Sequence, residues 1–355
     1  MLKFILKFFL ICSLIAAILI GGAALYMKLH GKALVQSVLS DMLGFEVRYG
    51  SAAGDIDKGS VNFTDVTIAD RASPENYFLK IKKLGVGIDK ERLIKERAVV
   101  IETARLEGAA LNVERDESGS FNIRIPLHRH GPGGRTGAYD ILRNFKELSI
   151  TDSRVRFSDS YIARRPAVAI FDGISLQFRS SGAGQNVIRA TCSAEARVPS
   201  ERYASGALAL RANMAIYEDR VNLDAQIDAQ VVDLAFLCPY INRYTPFIFR
   251  GGLFSCAGDL RFYNNRLDSP NTIVFHAIDM SVKPYAENAQ FLEASVDKLV
   301  PYLESRRGEI IFDFYLTGPL GHITAGVGPR VRNAIGMATM AEMSKIFQQI
   351  QRLRY

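Results

Sequence analysis

The stretch Leu208–Ala229, LALRANMAIYEDRVNLDAQIDA, decides how the rest of the chain is read. Leu208, Leu210, Ala212, Met214 and Ile216 recur at every second residue. After the polar turn Tyr217–Arg220, the residues Val221, Leu223, Ala225, Ile227 and Ala229 do the same. A period of two sends alternate side chains to opposite faces of an extended strand. Two such runs across a short turn predict an antiparallel hairpin with one continuous apolar face.

The same period runs outward on both sides. Toward the N-terminus it is carried by Phe45/Val47/Tyr49, Val61/Phe63, Leu84/Val86/Ile88, Val99/Ile101 and Ala109/Leu111/Val113. Val66 and Ile68 fall out of phase with Phe63, so a bulge is expected at Thr64-Asp65. Asp89 is placed to cap a short charged segment, Lys90–Arg97. Beyond the middle of the chain, Leu148/Ile150, Val155/Phe157, Ile174/Leu176/Phe178, Leu260/Phe262, Met280/Val282 and Ile310/Phe312/Phe314/Leu316 continue the pattern. Helical or broken spacing interrupts it at Lys32–Leu43, Asp233–Arg243 and Ala289–Ser305. The end of the chain carries a stripe of Met340, Met343, Phe347, Ile350 and Leu353, as an amphipathic helix would.

Phe8–Met27 carries no charge and, as a helix, is about 30 Å long, enough to cross a bilayer. Lys3 and Lys7 precede it and favour a cytoplasmic N-terminus. A secretory signal peptide is the alternative, with Phe8–Ile20 as its apolar region and Gly22-Ala23-Ala24 as a cleavage site. The apolar run continues through Leu25, Tyr26 and Met27, which favours a retained anchor. The segment Lys32–Leu43 follows directly. It either lies on the membrane or caps the first strands; its polar face, Gln36 and Ser40, lacks the basic density of a membrane-surface helix, which favours capping.

These readings give an organisation of transmembrane anchor (1–29), N-terminal β region (30–125), linker and loop (126–145), C-terminal β region (146–328) and amphipathic helix (329–355). The fold class is mainly β: an elongated antiparallel sheet, curled into a trough or closed as a sandwich, with short flanking helices. Few helices are available to cover one apolar face. Either the sheet folds on itself and buries that face dry, or it stays open to an apolar ligand.

Net charge is +7 and the isoelectric point is about 9.2, but acidic residues are interspersed throughout. A diffuse balance fits an anionic lipid surface or plain solubility and argues against a nucleic-acid partner. Cys192, Cys238 and Cys256 lie beyond the apolar segment and form no CxxC pair. A Cys238–Cys256 bridge and burial as small apolar residues are both open, burial being favoured. His128 and His130 lie in the Gly/Pro-rich run Pro126–Gly137 without further ligands at metal spacing, so no metal site or cofactor is expected. No nucleophile motif or phosphate loop is present, and no enzyme is expected.

Four stretches carry a family likeness: GFEVRYGSAAGDIDKGSVNFTDVTIAD (Gly44–Asp70), LGVGIDKERLIKERAVVIETARLEGAALNVERDESGSFNI (Leu84–Ile123), VVDLAFLCPYINRYTPFIFRGGL (Val231–Leu253) and GEIIFDFYLTGPLG (Gly308–Gly321). With the apolar N-terminal segment and the short helix after it, they resemble the AsmA-like family of bacterial envelope proteins. The resemblance implies a single-pass inner-membrane protein with a periplasmic β body, related to bridge-like lipid-transfer proteins. It further implies an apolar groove for phospholipid acyl chains and a part in outer-membrane biogenesis. The body is short for a bridge, which fits local lipid handling or a bridge completed by other envelope proteins. The alternative is a scaffolding protein acting through a strand edge or the C-terminal helix. The candidate groove-lining residues are Leu208, Leu210, Met214, Ile216, Leu223, Ile227, Phe312 and Phe314.

Overall fold

A computed structural model describes residues 36, 40, 45–55, 58–71, 73–96, 100–123, 145–163, 165–184, 187–217, 220–244, 247–264, 266–283, 290–291, 294–295, 308–319, 322–337 and 340. The expected transmembrane segment, the Pro126–Gly137 loop and most of the C-terminal stripe lie outside these residues. Among the described residues, no helix is long and apolar enough to cross a membrane. The described chain is mainly β, its strands paired mostly antiparallel, with few helices. It divides into two compact units, Met1–Arg197 with Arg211–Asn222, and Val198–Leu210 with Leu223–Tyr355.

The first unit contains β1 (Glu46–Arg48), β2 (Ser51–Asp55), β3 (Ser60–Asp70), β4 (Ser73–Ile88), helix α1 (Lys90–Lys95), β5 (Ile101–Arg115), β6 (Glu147–Asp159), β7 (Ala167–Gly184) and β8 (Val187–Val198). Their hydrogen-bonded order is β1-β3-β4-β5-β6-β7-β8, and β2 also pairs with β3. The register converts each strand's alternation into rows across the sheet. Phe63 faces Leu84, which faces Leu106, then Ile150, Leu176 and Ala194. A second row runs Val61, Val86, Ala104, Leu148, Phe178 and Cys192. Paired residues share a face, so these rows make one apolar surface. It is enclosed: Phe63, Ile68, Leu79, Ile81, Leu84, Leu106 and Leu148 are fully buried.

Local devices keep the rows in phase. Asp65 takes a φ of +52° at the expected slip, and Val66 and Ile68 return to the buried face. Asp89 caps α1, its carboxylate accepting from the Glu91 and Arg92 amides. Gln36 and Ser40 are helical; Gln36 Nε2 donates to Tyr49 O at 3.5 Å and Ser40 Oγ accepts from Val47 N at 2.9 Å. Gln36 and Ser40 are therefore tied to the first strands.

One pair departs from the antiparallel expectation: β5 and β6 run parallel. Parallel neighbours need a long crossover, and the chain between Arg115 and Glu147 supplies it. Glycine at 108 (φ +65°) and Asp152 (φ +47°) bulge both strands together, and the buried Ser153 hydroxyl accepts from Ala109 N at 3.0 Å. At the end of the pair the buried Asp159 carboxylate lies 3.5 Å from Arg115, which stacks over the Tyr161 ring.

The second unit contains β10 (Val221–Asp233), the 3₁₀ turn Leu234–Phe236, helix α2 (Cys238–Tyr244), β11 (Phe247–Tyr263), β12 (Arg266–Val282), β15 (Ile310–Pro319) and β16 (Thr324–Val327), with the order β10-β11-β12-β15-β16. Strand β9 (Gly206–Ile216) contributes residues to both units. Where Ala289–Ser305 carried helical spacing, Gln290–Phe291 (β13) and Ala294–Ser295 (β14) pair as a small separate ladder. Short apolar spacing does not separate a strand from a helix. Residues 329–337 are helical, as expected for the C-terminal segment.

Leu106→Ala is expected to destabilise the first unit by about 2–5 kcal/mol, read as a lower urea midpoint, because the cavity lies in a closed row. A second outcome concerns pH. The guanidinium of Arg154, by hydrogen bond and charge, holds the Asp172 carboxyl below its usual range. A depressed folded pKa contributes stability above the unfolded value and loses it as pH falls through the folded one. The stability difference between wild type and Asp172→Asn should therefore be present at neutral pH, vanish in acid melts, and shrink with added salt.

Candidate functional site

The register of the second unit gathers the apolar alternation of five strands onto one face. One row runs Leu223, Phe262 and Leu267. The next described rows are Ile227, Gly258, Asn271, Phe314 and Val327, then Ala229, Cys256, Ile273 and Phe312. Val232, Phe254, Phe275 and Ile310 form a fourth, brought back into phase by the bulge between Ala229 and Val232. Phe312 and Phe314 lie with ring centroids 6.3 Å apart.

This face is not closed as the first unit's is. Leu223, Phe262 and Leu267 are buried at one end. Phe254, Ile273, Phe275, Phe312, Phe314 and Leu316 are only half-buried, and Ile227 is 39% exposed. At the β15–β16 edge, Val331 and Ala334 of the helix at 329–337 pack with Ile310, Phe312 and Val327. Asp313 anchors that helix from outside its own sequence: its carboxylate accepts from Arg330 N at 3.2 Å and Val331 N at 3.1 Å. Anionic oxygens at a helix N-terminus satisfy free amides and complement the helix dipole.

The eight candidate residues are thus divided. Leu223, Ile227, Phe312 and Phe314 come together on one face of the second unit. Ile216 is 3% exposed within the core of the first unit, with Met214 packed against that core. Leu208 and Leu210 are half-buried on the part of β9 that belongs to the second unit. Leu260, already marked by its alternation with Phe262, and Phe254, Ile273 and Phe275, which were not singled out from sequence, complete the face. Leu253-Phe254 and Ile273-Val274-Phe275 are apolar on both faces, so alternation does not mark them.

The opposite face of the same strands is polar, with Asp224, Arg261, Asp268 and Thr317 in one row. A depression of about 400 Å³ in this unit is lined by Asp259, Pro270, Thr272, Asp313 and Tyr315, with Gly258, Asn271 and Phe314 also at its wall. Cys192, Cys238 and Cys256 are free, and burial pushes all three thiols up. They serve as small apolar residues, Cys192 against the first core and Cys256 within the second unit's apolar rows.

Comparison with protein-family models, with curated proteins and with solved structures finds no match to this chain.

Asp313→Ala should destabilise the start of the 329–337 helix by about 0.5–2 kcal/mol. Hydrogen exchange at the Arg330 and Val331 amides should accelerate several-fold, while amides in the first unit keep their protection.

Proposed function

We propose that this chain is an AsmA-like protein of the bacterial envelope that shields phospholipid acyl chains along an apolar strand face. The observation that carries this reading is the incompletely covered apolar face of the second unit, where Phe254, Ile273, Phe275 and Phe314 are half-buried and Ile227 is exposed. A soluble surface rarely leaves a continuous apolar patch open without a use for it. Hydrocarbon covers such a patch without any specific polar contact, at about 0.8 kcal/mol for each methylene buried. The mechanism is passive: tails lie on the apolar rows and headgroups stay in water.

The apolar N-terminal segment, with Lys3 and Lys7 before it, supports a single-pass anchor in the inner membrane and a periplasmic body. The reading therefore places the protein in phospholipid handling for the outer membrane, with local transfer rather than a complete bridge.

Native mass spectrometry of the full-length chain, released from detergent, tests it. Bound phospholipid is expected on the wild type. Ile227→Asp and Phe314→Asp should each reduce the lipid-bound fraction severalfold, because a buried carboxylate beside hydrocarbon is costly. Ile227 is exposed enough that its replacement should leave the melting curve nearly unchanged. A lipid-free wild type, or full lipid occupancy in a folded Ile227→Asp protein, would refute the reading.

A further inference from the structure

Three polar side chains on the opposite face of the second unit stand in a line. Ser255 on β11 has its Oγ 3.4 Å from Nε2 of His276 on β12. The other ring nitrogen, Nδ1, lies 3.2 Å from Oε1 of Glu309, beside the start of β15. The register explains the line: Leu253 pairs with His276 and Ser255 with Val274, so serine and histidine are diagonal neighbours, while Phe275 pairs with Ile310. Imidazole and carboxylate are each about 30% exposed, open to a solute but held on two sides.

The backbone around them is unusual. Val231 is β-branched yet takes a φ of +51°, a region such residues seldom occupy. The bulge there aims the Val231 amide at Ser255 Oγ, donating at 3.1 Å. Ala277, next to His276, also has a positive φ. Backbone held in such regions clusters at functional sites. Ser255 is paired with Val274, and Val274 with Ile311, so a small apolar floor adjoins the hydroxyl.

We infer that Ser255, His276 and Glu309 form a nucleophile, base and orienter able to hydrolyse a carboxylic ester with a short apolar acyl group. Glu309 accepts a hydrogen bond from Nδ1–H of His276 and so fixes the tautomer that leaves Nε2 as an acceptor. The Ser255 hydroxyl then donates to Nε2, and the contact tightens as substrate seats. Ser255 Oγ attacks the ester carbonyl carbon while its proton passes to Nε2. The Val231 amide, donating to Ser255 Oγ, holds the hydroxyl in place before attack. The carbon–oxygen bond to the alcohol breaks, and the alcohol leaves with the proton from Nε2. Water attacks the acyl-serine, gives a proton to Nε2, and the acid departs as Ser255 regains its hydrogen. Val274 and Ile311 receive the acyl group. The site lies on the face away from Phe312 and Phe314, so it stands or falls separately from acyl-chain shielding.

The test uses full-length protein in a mild detergent. With a fluorophosphonate, a single phosphonyl adduct should map to Ser255 and be lost in His276→Gln. With p-nitrophenyl butyrate, Ser255→Ala and His276→Gln should each lower kcat by about 100-fold or more. Glu309 acts through His276 as a positioning residue: Glu309→Gln should lower kcat at unchanged KM, and Glu309→Asp should restore part of it. Labelling of the wild type needs no variant to fold. Absence of an adduct on Ser255, or undiminished hydrolysis by a folded Ser255→Ala protein, overturns the assignment.

Discussion

Cross-strand register is the constraint on which the rest of the structure depends. Each strand alone offers an alternation of apolar and polar side chains. Only when neighbours pair in phase do the apolar members line up, as in the row Phe63, Leu84, Leu106, Ile150, Leu176. A slip of one residue would send a whole strand's apolar set to the other face. The apolar face therefore selects the register, and the register in turn creates the face.

The two units spend that face differently. In the first, the rows end in a closed interior, where Leu106 and Ile68 are almost wholly excluded from water. Apolar burial there stabilises the fold itself. In the second, Phe254, Ile273, Phe312 and Phe314 keep part of their surface available. The same side-chain chemistry yields a sealed core in one place and an incompletely covered apolar face in the other. What separates the outcomes is how much of each face is covered, which alternation does not encode.

Irregularities carry as much meaning as the ladders. Asp65, Asp152, Val231 and Ala277 all take positive φ within or beside strands. Asp65 and Asp152 keep apolar rows in phase across a bulge. Val231 and Ala277 instead flank the line of Ser255, His276 and Glu309, where the ladder gives up an amide to a side chain. Backbone that leaves the regular pairing can hold polar groups in an arrangement that a uniform ladder would not.

Much of this was legible along the chain. Alternation at Leu208–Ala229, Leu84–Ile88 and Ile310–Leu316 marked strands, Asp89 marked a cap, and the phase change at Thr64-Asp65 marked a bulge, because period and capping chemistry are local. The parallel pairing of β5 with β6 was not legible, since it depends on where a long connection returns. Nor was the separation of Ile216, enclosed in one unit, from Ile227, exposed in the other. Ser255, His276 and Glu309 stand far apart in sequence and meet only through the pairing of β11 with β12 and β12 with β15. Sequence by itself determined that the chain forms strands with one apolar side, because side-chain period is a property of neighbours along the backbone. Tertiary structure alone decided which of those sides is closed and which polar groups meet, because register and coverage are set between segments distant in the chain.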